Sequence, residues 1–435
     1  MNQRKKPELL MPASNLEVLQ VAIRYGADAV YIGGELYGLR AKAKNFSRED
    51  METGIAYAHE RGKKVYVTAN ITAHNADLAG VRRYFKELKE IRPDALIISD
   101  PGVFELQQEI CPEIDAHIST QANNVNYGTY RFWQRMGAKR VVSARELSLA
   151  EIREIREHIP DDLEIETFVH GAMCISYSGR CLLSNYMTGR DANLGACTHP
   201  CRWKYYLVEE NRPGEYMPIE ENDRGTYLFN SKDLCMIEHI PELFAAGIDS
   251  FKVEGRMKTA LYVATVARAY RQAIDDYQEE PERYQERLPY YREEVEKCTN
   301  RRFTTGFFFG KPKEEAQIYD SSTYVKDYVY LGTIGQVYEK SAQKKAGEKI
   351  AVLEQRNKFS VGDIVEIMKP DGRNSSARVV EMTDKNGTPM ESCPHPQQEI
   401  HVVFEAEAEP EPMDLIRTGA KEAPDGESRQ TVVGR

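Results

Sequence analysis

The feature that most limits the fold is a repeated grammar in roughly the first 260 residues. Helical stretches close at a glycine and short β-branched runs follow, as in IRYGADAVYIGG, HERGKKVYVTANI, RMGAKRVVSA and AAGIDSFKVEGR. With PELLMPA, IRPDALIISD, IDAHISTQA and LEIETFVHG, these runs give eight candidate strands. They lie near Glu8–Met11, Ala29–Gly33, Val65–Ile71, Ala95–Asp100, Ala116–Thr120, Arg140–Ala144, Glu164–Val169 and Ser250–Glu254. The segments between them have helical spacing. Leu16, Leu19, Ala22 and Ile23 share one face, and Ser148 with Glu151 three residues later forms a capping-box pattern. Continuous apolar strands alternating with amphipathic helices predict a parallel sheet covered by helices. Eight such units predict an α/β fold of the (β/α)8 TIM type rather than an open sheet. No Gly-x-Gly-x-x-Gly turn follows the first strand, which weakens a doubly wound dinucleotide-binding alternative.

In such barrels chemistry gathers at the C-terminal strand ends. Here those ends carry Asn70, Gln121, Asn123, Arg145, His170, Glu254 and Arg256. The seventh strand departs from the alternation. It leads into a cysteine loop (174–201) and an insertion (206–230) that reads as a β-hairpin with turns at Arg212-Pro213-Gly214 and Asn222-Asp223. Residues 1–300 therefore read as the barrel and 301–323 as a linker. Short β runs such as KIAVLEQ and EIHVVFE make 324–408 a small C-terminal β-barrel domain. The polar, acidic remainder, 409–435, reads as a disordered tail. The aromatic and basic stretch RRFTTGFFFGKPK suits either RNA stacking or a linker that packs the β module onto the barrel, with the packing role favoured.

Four of the eight cysteines fall between Cys174 and Cys201, with spacers of six, fifteen and three residues. No apolar run is long enough for a membrane span, and MNQRKKPELLMPAS lacks the apolar core of a secretory signal, so a cytoplasmic protein is expected. In that compartment clustered thiols point to metal binding or catalysis rather than disulfides. Cys197 and Cys201 have zinc-knuckle spacing, but Cys174 and Cys181 are too far apart for it. The spacing favours an iron–sulfur cluster over zinc, and a cysteine–histidine nucleophile with His170 or His199 stands behind both. Cys111, Cys235, Cys298 and Cys393 read as ordinary thiols. The 58 basic and 68 acidic side chains give a net charge of −10. That disfavours broad nonspecific nucleic-acid binding but permits a local basic patch.

The run HGAMCISYSGRCLLSNYMTGRDANLGACTHPCRWKY closely resembles the signature of the collagenase-like peptidase family of unclassified mechanism, the U32 type. PELLMPAS, GADAVYIGG, HISTQAN, RELSLAEI and KVEGRMKT match it as well, so the resemblance runs in order from about Lys6 to Asp275. RPGEYM followed by GTYLFNSKDL narrows it to the branch concerned with tRNA hydroxylation. The resemblance implies a TIM barrel whose Cys174, Cys181, Cys197 and Cys201 hold a [4Fe–4S] cluster, with Cys235 the sole competitor for the fourth place. It implies prephenate-dependent, O2-independent conversion of wobble uridine to 5-hydroxyuridine. The partners it implies are the tRNA anticodon loop and a shorter family paralogue. The family's older name implies a peptidase acting on collagen instead. That alternative lacks a His-Glu-x-x-His motif or a Gly-x-Ser-x-Gly elbow in this chain. For the hydroxylation chemistry, Glu254, Arg256 and His170 are the catalytic candidates. Asn70, Gln121 and Asn123 suit reading a base edge, and Arg40, Arg145 and Arg256 suit carboxylates. The plainer reading makes these strand-end caps or ion pairs, such as Arg256 with Glu254.

Overall fold

The computed structural model describes residues 6–34, 45–173, 181–190, 197–202, 206–207, 217–218, 230–311, 317–318, 325, 328–339 and 349–419. All eight expected strands form: β1 (Glu8–Pro12), β2 (Ala29–Gly33), β3 (Lys64–Ala69), β4 (Ala95–Ile98), β5 (Asp115–Ile118), β6 (Arg140–Val142), β7 (Glu164–Gly171) and β8 (Ser250–Val253). Each pairs in parallel with the next, and β8 pairs with both β7 and β1, which closes the barrel. Helices α1 (Leu16–Arg24), α2 (Arg48–His59), α3 (Asn75–Ile91), α4 (Pro101–Ile110), α5 (Tyr127–Arg135) and α6 (Leu149–His158) fill the first six crossovers. The capping box at the start of α6 is present: Glu151 N donates to Ser148 Oγ at 3.3 Å, and Ser148 N to Glu151 Oε2 at 2.8 Å.

The seventh crossover holds the irregular part. It carries a two-turn helix, α7 (Leu183–Thr188), and later α8 (Ile240–Ala245). Between them Tyr206–Leu207 pairs antiparallel with Met217–Pro218, while both expected turns of the hairpin lie outside the described residues. Asp233–Cys235 then adds antiparallel to the end of β7, and Phe303–Thr304 adds beside it. After β8 come two long helices, α9 (Ala260–Glu279) and α10 (Pro281–Glu296). Phe303, Phe307 and Phe308 join the barrel's apolar core. The Phe308 carbonyl accepts a hydrogen bond from Leu149 N at the start of α6, so this aromatic stretch packs against the first barrel.

The C-terminal unit is a closed antiparallel barrel of six strands: β9 (Tyr328–Glu339), β10 (Lys349–Gln355), β11 (Ile364–Met368), β12 (Ser375–Asp384), β13 (Glu399–Ala406) and β14 (Leu415–Gly419). Their order is β9-β10-β13-β12-β11-β14, closing on β9. This corrects the expectation of a tail from 409 onward: Leu415–Gly419 supplies the closing strand. A strand of five residues after an acidic, proline-rich run is a faint signal. Its polar residue is moreover buried rather than solvated. Arg417 is 0% exposed because its guanidinium meets Glu294 of α10 and Glu366 of β11.

That contact belongs to a charged seam between the two barrels. Glu294 also pairs with Arg268 of α9, which donates to the Lys369 carbonyl and to Asn374 Oδ1, both at 2.6 Å. Burial pushes the Glu294 carboxyl up, but Arg417 and Arg268 outweigh it and bring it down to about 2. Tyr25 donates to the Met368 carbonyl at 2.7 Å, and Glu17 pairs with Arg356 at 2.7 Å. No helix of the described residues is long and apolar enough to cross a membrane.

Candidate active site

The mouth of the first barrel is built where β3, β5, β6 and β8 end. After β3, Asn70 donates from Nδ2 to Ser119 Oγ at 3.3 Å and accepts at its carbonyl from Ser99 Oγ at 3.0 Å. After β5 the chain makes one tight turn, Thr120–Ala122, closed by Asn123 at φ +54°. Asparagine tolerates that left-handed conformation because its short amide bonds locally, here Nδ2 to the Gln121 carbonyl at 2.8 Å. Asn123 Oδ1 is buried and has no hydrogen-bond partner among the described residues. Asn70, Gln121 and Asn123 are therefore brought together through the Ser119 turn.

Arg145 and Glu254 meet across the mouth, Nη2 to Oε2, at 3.5 Å. The Arg145 guanidinium lies 3.9 Å from the Phe168 ring centroid and donates to the Ala172 carbonyl at 2.6 Å. Arg256, buried at 6% exposure, donates to Thr68 Oγ1 at 3.1 Å and to Asn45 Oδ1 at 3.3 Å. The carboxylate partner expected for Arg256 is thus shown paired with Arg145. Gly33 is needed beneath Arg256: a Cβ there would stand 2.1 Å from Arg256 Nη2. Arg40 lies outside the described residues.

His170 does not join this group. The β7–β8 register shifts between Lys252 and Val253, so Val253 pairs with His170 while Lys252 pairs with Phe168. The imidazole packs among Tyr262 and Tyr270 of α9 and Phe303, 3.4 Å from the Tyr270 hydroxyl. Burial, helped by Lys258, lowers its pKa to about 3, so the ring stays neutral. The expectation of His170 as a proton-moving residue meets a side chain that is buried and set apart from Arg145 and Glu254. Proximity in sequence to the cysteines suggested it, and the bulge turns it toward α9.

In the cysteine segment, Cys181, Cys197 and Cys201 are half-buried and not disulfide-bonded. Cys174 lies outside the described residues. A hydroxyl staple fixes two of the thiols: Thr198 N donates to Ser184 Oγ at 3.0 Å, and the Thr198 hydroxyl lies 3.1 Å from that of Ser184 and 3.2 Å from that of Thr188. This pins Cys197 to the helix that follows Cys181, and His199 N donates to Cys197 Sγ at 3.3 Å. In donor chemistry the residues fit a thiolate-held iron–sulfur group. Among the described residues, no three His, Cys, Asp or Glu side chains gather closely enough to hold an ion. Cys235, the competitor, sits with Sγ 3.9 Å from the Tyr270 hydroxyl, and burial pushes its thiol up to about 12.

Below the mouth lies a charged floor that the sequence reading missed. Glu166, fully buried, accepts from Lys252 Nζ at 2.6 Å and from Arg140 Nη1 at 3.0 Å. Arg140 also reaches Glu8, which accepts from Tyr66 and Ser250. Lys252 Nζ stands 4.5 Å from the Tyr31 ring centroid and 5.4 Å from that of Phe168. His117, buried beside this group, is held well below the usual imidazole range by burial and by the cations Arg140 and Lys252. A signal was present: Glu164 and Glu166 stand two residues apart in the strand, which places both on one face.

The description "Peptidase family U32" matches residues 14–318, and "Peptidase family U32 C-terminal domain" matches residues 326–417. The chain is 41% identical to tRNA hydroxylation protein P1 of Bacillus subtilis strain 168, over 95% of each chain. It is 41% identical to tRNA hydroxylation protein P of Escherichia coli K12, covering 89% of this chain and 92% of that one. It is 38% identical to tRNA hydroxylation protein P2 of the same Bacillus strain, covering 70% of this chain and 98% of that one.

Proposed function

The chain belongs to peptidase family U32, and from that premise we propose that it hydroxylates tRNA, converting wobble uridine to 5-hydroxyuridine. The observation that carries the proposal is the end-to-end match, through both barrels, to relatives named as tRNA hydroxylation proteins. The mouth supports it chemically. Replacing C5–H by C5–OH is a two-electron oxidation that removes a proton from C5. The site must therefore take in an extruded base, an oxygen donor and a proton acceptor. Asn70, Gln121 and the unpartnered Oδ1 of Asn123 offer amide donors and acceptors for the base edge. Arg145 and Arg256 are cations for anionic groups of RNA or of the donor, and Glu254 is the carboxylate placed to accept the proton. Arg40 belongs to the same anion-binding set in this proposal.

Cys174, Cys181, Cys197 and Cys201 would hold a [4Fe–4S] cluster, which supplies single-electron transfer when bound. The co-substrate in this reading is prephenate or a compound derived from it, and O2 is not used. The partners are the anticodon loop and, by analogy with the shorter Bacillus relative, a shorter family paralogue. The reaction belongs in the cytoplasm with its tRNA. The peptidase alternative draws no support from His170, one of its two candidate bases, which is buried among aromatic rings.

The test is nucleoside analysis of tRNA from a strain lacking the chain. Modification downstream of 5-hydroxyuridine should vanish, return with the wild-type chain, and stay absent with Cys181→Ala. Unchanged 5-hydroxyuridine-derived nucleosides in the deletion strain would sink the proposal.

A further inference from the structure

Arg145 is nine-tenths buried but uses only part of its fork. Nη1 is committed to the Ala172 carbonyl at 2.6 Å. Nη2 reaches Glu254 Oε2 at 3.5 Å, the outer limit of a hydrogen bond, and Nε is buried with no partner among the described residues. Nε and Nη2 form one edge of the guanidinium, and that edge accepts both oxygens of a carboxylate or a phosphate at once. The plane is held flat by Phe168 at 3.9 Å, so the edge cannot swing away to satisfy itself elsewhere. Glu254 is anchored through its backbone: its N–H donates to the His170 carbonyl at 2.8 Å, and its carbonyl accepts from Tyr262 at 3.1 Å. Its carboxylate can therefore exchange without moving the strand end. A buried donor left unmade is costly, and an incoming oxyanion would relieve it.

We propose that the Nε/Nη2 edge of Arg145 is an exchangeable oxyanion receptor. A carboxylate of a small co-substrate, or a phosphate of the RNA, takes both N–H groups and displaces Glu254 from Nη2. The displaced carboxylate then stands in the mouth as the proton acceptor. Phe168 is the positioning residue that keeps the edge presented. The receptor deepens the RNA-hydroxylation reading, yet its test needs no turnover.

Calorimetric titration of the full chain with pyruvate, with inorganic phosphate and with an RNA stem–loop decides it. Wild type should bind one or more of these probes. Arg145→Lys keeps the charge but not the two-donor edge, and should weaken binding by about tenfold or more. Glu254→Gln removes the internal competitor and should tighten binding about threefold. Pyruvate binding that phosphate does not compete assigns the receptor to a small carboxylate. Stem–loop binding competed by phosphate assigns it to the RNA backbone. Binding of no probe, unchanged binding by Arg145→Lys, or weaker binding by Glu254→Gln overturns the receptor. Should Arg145→Lys fail to fold, the direction of the Glu254→Gln change carries the decision. A chain that binds the probes but leaves tRNA unmodified in the complementation assay keeps the receptor and loses only the RNA reading.

Discussion

Replacing Glu166 with glutamine removes the central anion of the barrel floor while keeping the side chain's size and an acceptor for Lys252. In the wild type this carboxylate serves two cations, Lys252 at 2.6 Å and Arg140 at 3.0 Å, and is fully buried. At an effective dielectric near 20, each contact represents about 6 kcal/mol of Coulomb attraction, most of it offset by desolvation of the ions. Arg140 retains Glu8 and Glu164 as carboxylate partners. Lys252 is left with its charge between Tyr31 and Phe168 and no carboxylate partner. Removing one member of a buried pair costs about 3–5 kcal/mol, which lowers the melting temperature by about 10 °C for a domain of this size. Adding Lys252→Met removes the stranded charge, so the double variant should recover at least half of that loss. Thermal unfolding followed by far-UV circular dichroism reads both effects. A single variant within about 2 °C of wild type, or a double variant that falls as far as the sum of the two singles, would refute a paired floor.

The seam between the barrels should respond to acid. The Glu294 carboxyl is depressed from 4.5 to about 2, so its contribution is complete above the unfolded value and is lost as pH falls through the folded one. The stability gap between wild type and Glu294→Gln should be about 3 kcal/mol near neutrality and should close between pH 4.5 and 2, read as melting temperature against pH. Gly33→Ala should fold with a loss of about 1 kcal/mol, because the new methyl meets the movable end of Arg256 rather than backbone. Its 5-hydroxyuridine yield in the complemented strain should nonetheless drop about tenfold or more, since the guanidinium is pushed off Thr68 and Asn45.

Much of the fold could be read from local pattern. A strand buried on both faces must be apolar along its length, and a covering helix must carry an apolar stripe. Both periods survive in the linear chain, so eight strands and their helices were legible. The mouth was legible as a list of polar strand ends, because position after a strand fixes which end of the barrel a residue occupies. Its pairings were not. Glu254 and Arg256 are two residues apart, yet Glu254 meets Arg145 and Arg256 meets Thr68, because both lie past Val253, the last residue of β8, where the period of a strand no longer sets side-chain direction.

By itself, then, the sequence determined the closed parallel barrel, the clustering of four thiols at spacers of six, fifteen and three residues, and which residues stand at the strand ends. Tertiary structure alone decided three other matters. A one-residue register shift turned His170 from the mouth to α9. Leu415–Gly419 became a strand because five strands leave an edge that a sixth closes, and because Glu294 and Glu366 neutralise Arg417 there. Glu8, Arg140, Glu166 and Lys252, drawn from four strands, became one buried network. Charge pairing at 3 Å depends on which strands are neighbours and how they are staggered, and neither is written in any local window of the chain.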